Sequence, residues 1–218
     1  MQGKTHRAGG TAFALIAFEV MRANGWLLPD VNDFVQLGMM YPMVSWGSIF
    51  PDLDHGVNSI PDKDPFSYAV NWVLRKTGAK HRSWQTHSIV VTGGLCFLLY
   101  SMIYLLNAIF GVQDHIGWAY IRLATVGFIM GVISHLFLDA LTTGGIHLYP
   151  GFKIRFVPKT KKGIFSRGTK WENFVFRLLV IIIVVMLVKI FIGEIDEKFL
   201  SSVVDKCIEY LERIKGVI

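Results

Sequence analysis

Cysteine is scarce. Cys96 lies inside an apolar run and Cys207 in the polar tail, which excludes a disulfide framework and a thiolate metal pattern. Any bound metal is therefore held by nitrogen and oxygen. Charge is scarce as well: 17% of residues are charged against 52% hydrophobic, with a mean hydropathy of +0.45, which is unlike a soluble globule. A soluble metalloenzyme would have to bury the uncharged run Ile89 to Val112 entirely within protein. No G-x-S-x-G elbow, Walker loop or dinucleotide fingerprint is present. The amino-terminal stretch MQGKTHRAGG leads into apolar residues but lacks a secretory h-region, because Glu19 and Arg22 interrupt it and no small-residue cleavage site follows. It is expected to be a retained first helix. No repeat, low-complexity tract or flexible linker divides the chain.

Long apolar segments are what the sequence has in their place, and a hydrocarbon core of about 30 Å needs about 20 such residues. Ile89 to Val112 has no charge. Ile116 to Leu141 is apolar except for Arg122 near its start and His135 and Asp139 near its end. Phe174 to Gly193 carries Arg177 and Lys189 close enough to its ends to snorkel. Ala8 to Leu28, with Glu19 and Arg22, and the short Phe34 to Phe50, with Pro42, are weaker. The expected fold is an all-α polytopic membrane bundle of four to five embedded helices over residues 1–193. A tail over 194–218 follows, in which Ile195, Phe199, Val203, Cys207 and Leu211 form an amphipathic stripe. That stripe suits a helix on the membrane or against a partner, and equally a solvated helix covering the body of the protein.

The net charge of +6 fits nucleic acid or anionic lipid, so position must decide. With the amino terminus in the cytoplasm, Lys4, Arg7, Lys63, Arg75, Lys76, Lys80, Arg82 and the Lys/Arg cluster from Lys153 to Lys170 share one side. The opposite loops, Pro29 to Asp33 and Gly111 to Gly117, have no Lys or Arg. Membrane lipid is the expected partner, with no specific nucleic acid; the oligomeric state is open.

The same topology gathers His6, His55, His81, His87, His135 and His147 at one level, leaving His115 on the other side. His135 and Asp139 are four apart, which puts both on one helix face as a chelating pair requires. An ionisable pair in the apolar run GVISHLFLDALTTGG is a functional hypothesis by default, against which stands a self-satisfied hydrogen-bonded pair. In GSIFPDLDHG, Asp52 and Asp54 crowd beside His55 and repel unless a cation or proton intervenes. The alternative there is a polar turn whose Asp residues cap the next helix. KHRSWQTHS supplies His81 and His87, with Arg82 suited to a phosphoryl group, or else a basic turn beside lipid head groups. So many nitrogen and oxygen ligands imply more than one ion, a standard arrangement for activating water against phosphoesters. Zinc is the expected metal.

At these residues the chain resembles the YdjM-type family of membrane-bound, metal-dependent hydrolases, which includes members regulated with the LexA response. The family blocks correspond to His6, to Pro51-Asp52-Leu53-Asp54-His55, to HRSWQTHS, to SHLFLDALTTGG with Pro150, and to Glu172 in KWENF. HRSWQTHS has one residue more between its histidines than the family block, so His81 or His87 can be displaced from its family role. The family is distantly similar to zinc-dependent phospholipase C and related zinc nucleases, which are helical and hold several zinc ions. The resemblance implies an inner-membrane phosphoesterase acting on a phospholipid or lipid-linked phosphate, and the Lys/Arg bias of the multi-pass topology puts its active face in the cytoplasm. His6, Asp52, His55, His81, His87, His135 and Asp139 would be its metal ligands. Asp54 and Glu172 would be further ligands or the general base, and Arg82 would hold the phosphate. The rival reading is a non-catalytic membrane protein whose metal is a structural staple or a sensor for a partner.

Overall fold

The computed structural model describes residues 3–29, 31–55, 64–111, 116–157 and 168–215, with side chains as far as residue 193 in the last segment. His115, Lys63, Lys159 to Arg167 and the side chains of the stripe from Ile195 to Leu211 lie outside the described residues. Among the described residues, six α-helices run in the order α1 (Gly3–Ala23), α2 (Asp33–Gly47), α3 (Pro65–Lys76), α4 (Ile89–Phe110), α5 (Ile116–Ala140) and α6 (Lys170–Lys215). A 3-10 turn, Phe50–Asp54, joins α2 to α3, and two strands, β1 (Ile146–Tyr149) and β2 (Phe152–Ile154), follow α5.

The local sequence explains the boundaries. Asn32 caps α2 by accepting from Phe34 N, and Asp64 caps α3, whose first residue is a proline that needs no hydrogen-bond partner for its nitrogen. Ser88 caps α4, and Gly111 ends that helix at φ 62°, where a β-carbon would be strained. Pro51 starts the 3-10 turn at a position where the missing N–H has no consequence.

Among the described residues, three helices are long and apolar enough to cross a membrane: Ile89–Phe110, Gly117–Ala140 and Lys170–Gly193. This meets the expectation of four to five embedded helices in part. The other two segments are helical but differ in kind. α2 has 15 residues, about 22 Å of rise, and α1 carries charge. Those charges pair across elements: Glu19 with Lys189 of α6 and with Arg22 at 3.7 Å, and Arg22 with Asp33 at 3.3 Å. The fold also departs from all-α, since the segment after α5 contains an antiparallel hairpin pairing Ile146 with Ile154 and His147 with Lys153. Its alternating Ile, Leu and Phe fit a pleated strand, and Gly151 makes the turn at φ 90°.

The core lies where α1, α2, α5 and α6 meet, around Leu15, Phe18, Met40, Val44 and Ile190. The α2–α5 contact is backbone on backbone. A β-carbon on Gly47 would stand 2.2 Å from the Phe128 carbonyl oxygen, and one on Gly131 would stand 2.4 Å from the Val44 carbonyl oxygen. Gly127 and Gly131 form the small-xxx-small spacing that lets apolar helices approach closely. α4, by contrast, presents Phe97, Leu98, Tyr104 and Phe110 outward, as a helix surrounded by hydrocarbon would.

Candidate metal centre

Four pieces of chain converge at the amino-terminal end of α1 and the carboxy-terminal end of α5. α1 brings His6, the 3-10 turn brings Asp52 and Asp54 with His55 beside them, the turn before α4 brings His81 and His87, and α5 brings His135 and Asp139. His6, His87, His135 and Asp139 are fully buried, and Asp52 and Asp54 nearly so.

Each piece is fixed from behind. Asn71 of α3 donates to the carbonyls of Leu53 and His55, tying the 3-10 turn to α3. The strand β1 ties down the turn before α4: His147 N donates to His87 O at 2.8 Å, and Ser88 Oγ donates to Leu148 O at 2.8 Å. The glycine-lined crossing of α2 and α5 brings the Ser48 carbonyl to His135, whose Nδ1 donates to it at 2.7 Å. A carbonyl only accepts, so Nδ1 of His135 carries the proton and Nε2 of the neutral ring presents a lone pair. His55 repeats the device, with Nδ1 against the Asp52 carbonyl at 2.8 Å. Metal-ligating histidines are oriented in this way.

The side chains then face one another without making hydrogen bonds. His6 Nε2 stands 3.5 Å from Asp139 Oδ1, and His87 Nε2 stands 3.6 Å from both Asp52 Oδ1 and Asp139 Oδ2. His135 Nε2 stands 3.8 Å from Asp52 Oδ1 and 3.9 Å from Asp139 Oδ2. The Nε2 atoms of His6, His87 and His135 are all buried with no hydrogen-bond partner. Buried polar atoms are rarely left in that state. Separations of this size exceed a good hydrogen bond but approach the spacing of about 3.3 Å between two ligands on one tetrahedral zinc, given zinc–ligand bonds of about 2.0–2.1 Å.

Three overlapping sets of ligand atoms, each within 4.8 Å of one another, can hold an ion: Asp52, Asp54, His55 and His81; His6, His135 and Asp139; and Asp52, His87 and His135. Asp52 and His135 each belong to two sets. The donors are imidazole and carboxylate throughout, which suits zinc and other first-row metals.

The carboxylates are held ionised. Burial alone would raise Asp52, but His135, His87 and His6 hold its carboxyl well below the usual range. Burial likewise acts to raise Asp54, and its bonds to His81, His87 and Thr86 hold it low. Burial acts to lower His87, yet the facing carboxylates of Asp52, Asp54 and Asp139 push it up to about 9.

Every metal ligand expected from the sequence is thus brought to one place. Despite the extra residue in HRSWQTHS, both of its histidines reach Asp54: His81 Nδ1 at 3.1 Å from Oδ1 and His87 Nδ1 at 3.6 Å from Oδ2. Arg82 sits between them at φ 58° with its Nη2 on the Asp139 carboxylate at 2.8 Å. Glu172 lies outside the three sets. Its carboxylate accepts from Thr5 Oγ1 at 3.0 Å and from Gly168 N at 2.6 Å at the start of α6, next to His6 in sequence through Thr5. Sequence reasoning missed Thr86, which donates to Asp54 and lies 3.0 Å from His87 Nδ1, and Ser48, whose contribution is a backbone carbonyl.

Apolar helices of membrane-crossing length and a buried His/Asp cluster that can hold metal define a membrane protein with a candidate metal centre at one end of its bundle. Within that class the chain belongs to the YdjM inner membrane protein family, whose model matches residues 1–195. No curated protein and no solved structure matches it.

Proposed function

We propose that this protein is a multi-pass membrane hydrolase that uses a centre of more than one zinc ion to cleave a phosphoester, with a phospholipid or lipid-linked phosphate as substrate. The observation that carries this reading is the convergence of three buried, unpartnered Nε2 atoms on the carboxylates of Asp52 and Asp139. At 3.5–3.9 Å these nitrogens and carboxylates stand too far apart for good hydrogen bonds, leaving buried polar atoms that a cation among them would satisfy. Bound there, zinc supplies Lewis acidity toward a phosphoryl oxygen and lowers the pKa of water.

The chain's own residues divide the remaining work. His6, Asp52, His55, His81, His87, His135 and Asp139 hold the metal. Ser48 and the Asp52 carbonyl set the tautomers of His135 and His55. Asp54, held as an anion between His81 and Thr86, is placed to take a proton at Oδ1 or Oδ2. Arg82, partly exposed, offers its remaining guanidinium N–H groups to a phosphate while orienting Asp139. Exposed Lys153 and Arg155 on the hairpin supply positive charge nearby. A cytoplasmic active face follows from the Lys/Arg bias of the same end.

The test is zinc content of the detergent-purified protein by mass spectrometry, together with turnover of bis-p-nitrophenyl phosphate and of phospholipid vesicles. About two equivalents of zinc, lost in a folded His135→Ala, Asp139→Ala variant along with turnover, support the reading. Absence of transition metal after reconstitution overturns it. The complete burial of His6, His87, His135 and Asp139 favours a second reading, a closed structural or regulatory metal. Bound zinc with no turnover on any phosphoester would select that one.

A further inference from the structure

A cleft of about 710 Å³ opens between α1, α4 and α5, with Trp26 and Arg122 toward the end of the bundle away from the metal centre. Its walls are apolar, with Phe13 and Val20 from α1, Tyr100 from α4, and Val126 and Met130 from α5, and Arg122 and Trp26 stand at its rim. Arg122 is the exception in this lining. Its Nη2 donates to the Trp26 carbonyl at 3.2 Å, and it has no carboxylate partner among the described residues. A guanidinium has five N–H donors, so most of this one is available to a ligand.

The dimensions match a lipid. From Arg122 to Met130 the α5 axis rises about 12 Å, close to the roughly 15 Å depth of one leaflet of a 30 Å hydrocarbon core. From Arg122 to His135 the same axis rises about 20 Å, so the rim lies in the leaflet opposite the metal centre. An apolar cleft with one cation that has no carboxylate partner among the described residues fits an acyl chain that ends in an anionic head group. We propose that this cleft binds one anionic phospholipid, an acyl chain lying along Phe13, Val20 and Met130 and the phosphate meeting Arg122 and the Trp26 end of α1. Because Arg122 lies about 20 Å of helix rise from His135, the phosphate it holds is out of reach of the metal centre, so the bound lipid is a resident ligand and not the substrate, and the inference stands whether or not the centre is catalytic.

The experiment uses the full chain in nanodiscs of phosphatidylcholine doped with phosphatidylglycerol, followed by release into mild detergent and native mass spectrometry of retained lipid, with zinc content measured in parallel. The expected result is about a fivefold preference for phosphatidylglycerol over its share of the disc, the scale set by one basic residue at a membrane surface. Arg122→Gln should abolish that preference while zinc content stays unchanged. Ala17→Leu, which fills the slot without touching the cation, should reduce retention of both lipids. Equal retention of the two lipids by the unaltered protein, a preference that survives Arg122→Gln, or undiminished retention in Ala17→Leu would each overturn the proposal.

Discussion

His6 and His135 lie ring on ring, their centroids 3.8 Å apart and their planes within 14°, although one opens the first helix and the other closes the fifth. The stack turns both rings toward one carboxylate, and His6, His135 and Asp139 together form a set of ligand atoms that can hold an ion. Asp139 faces both, so α1 and α5 are joined at this end by chemistry as well as by packing.

Proton competition follows at His87. Its metal-free form holds a proton up to about pH 9 because Asp52, Asp54 and Asp139 face it, and metal must displace that proton. Apparent zinc affinity should rise about tenfold per pH unit between 7 and 9 and flatten above. In the metal-free protein the sign is opposite. The stability contributed by charged His87 is complete below its ordinary 6.5 and is lost as pH climbs through about 9. Zinc titration at several pH values, beside melts of the chelated protein, reads both; an affinity flat from pH 7 to 9 would contradict the placement of His87.

The α2–α5 crossing gives a steric prediction. Gly131→Val has no space, with the Val44 carbonyl oxygen 2.4 Å and the Ser48 nitrogen 2.6 Å from the first added carbon. Overpacking of this kind costs about 1–3 kcal/mol, and by moving Ser48 it should also reduce bound zinc. Gly38→Ala on the same helix pair meets nothing within 4 Å and should stabilise by about 0.5–1 kcal/mol with zinc unchanged. Melting temperature and zinc content of the two variants should diverge; parallel behaviour would show that the close crossing does not support the site.

Glu172→Gln separates a ligand from a support. The carboxylate holds Thr5 and the Gly168 N–H at the start of α6, and Glu172 N lies 3.4 Å from Thr169 Oγ1, as in a capping box. A lowered melting temperature, worth about 1–3 kcal/mol, with full zinc occupancy is expected. Loss of one zinc equivalent would instead place Glu172 among the ligands.

Arg82→Gln should leave zinc bound, since removing a cation beside Asp139 does not weaken a site that attracts cations. Phosphoester turnover should fall by about 10²–10³-fold, the scale for losing one donor to a developing oxyanion. Unchanged turnover would assign Arg82 to holding Asp139 alone.

Much of the site was legible because its chemistry is carried by side chains at fixed spacings. The four-residue step from His135 to Asp139, the crowded Asp52, Asp54 and His55, and the paired histidines of HRSWQTHS all meet as the helical periodicity and topology suggested. What escaped notice acts through the main chain or through a turn. Ser48 contributes a carbonyl that any residue would possess, and its position depends on Gly47 and Gly131 removing the β-carbons between two helices. The hairpin was hidden because Ile146 to Ile154 is too short for its alternation to stand out within a basic segment. Glu172 belongs to the sequence T-K-W-E, a capping signal whose buried partner Thr5 lies at the far end of the chain. Helix spans were readable where charge was absent, and less so in α1, whose Glu19 is paired with Lys189 of α6 as well as with Arg22 of its own helix.

α6 has 46 residues in one unbroken helix, about 69 Å, more than twice the thickness of the hydrocarbon core. Its first turn is fastened through Glu172 and Thr5 to the peptide that carries His6, and its last turn closes the same 46-residue helix. One continuous helix therefore begins beside the candidate metal centre and has more residues than a single crossing of the hydrocarbon core can use.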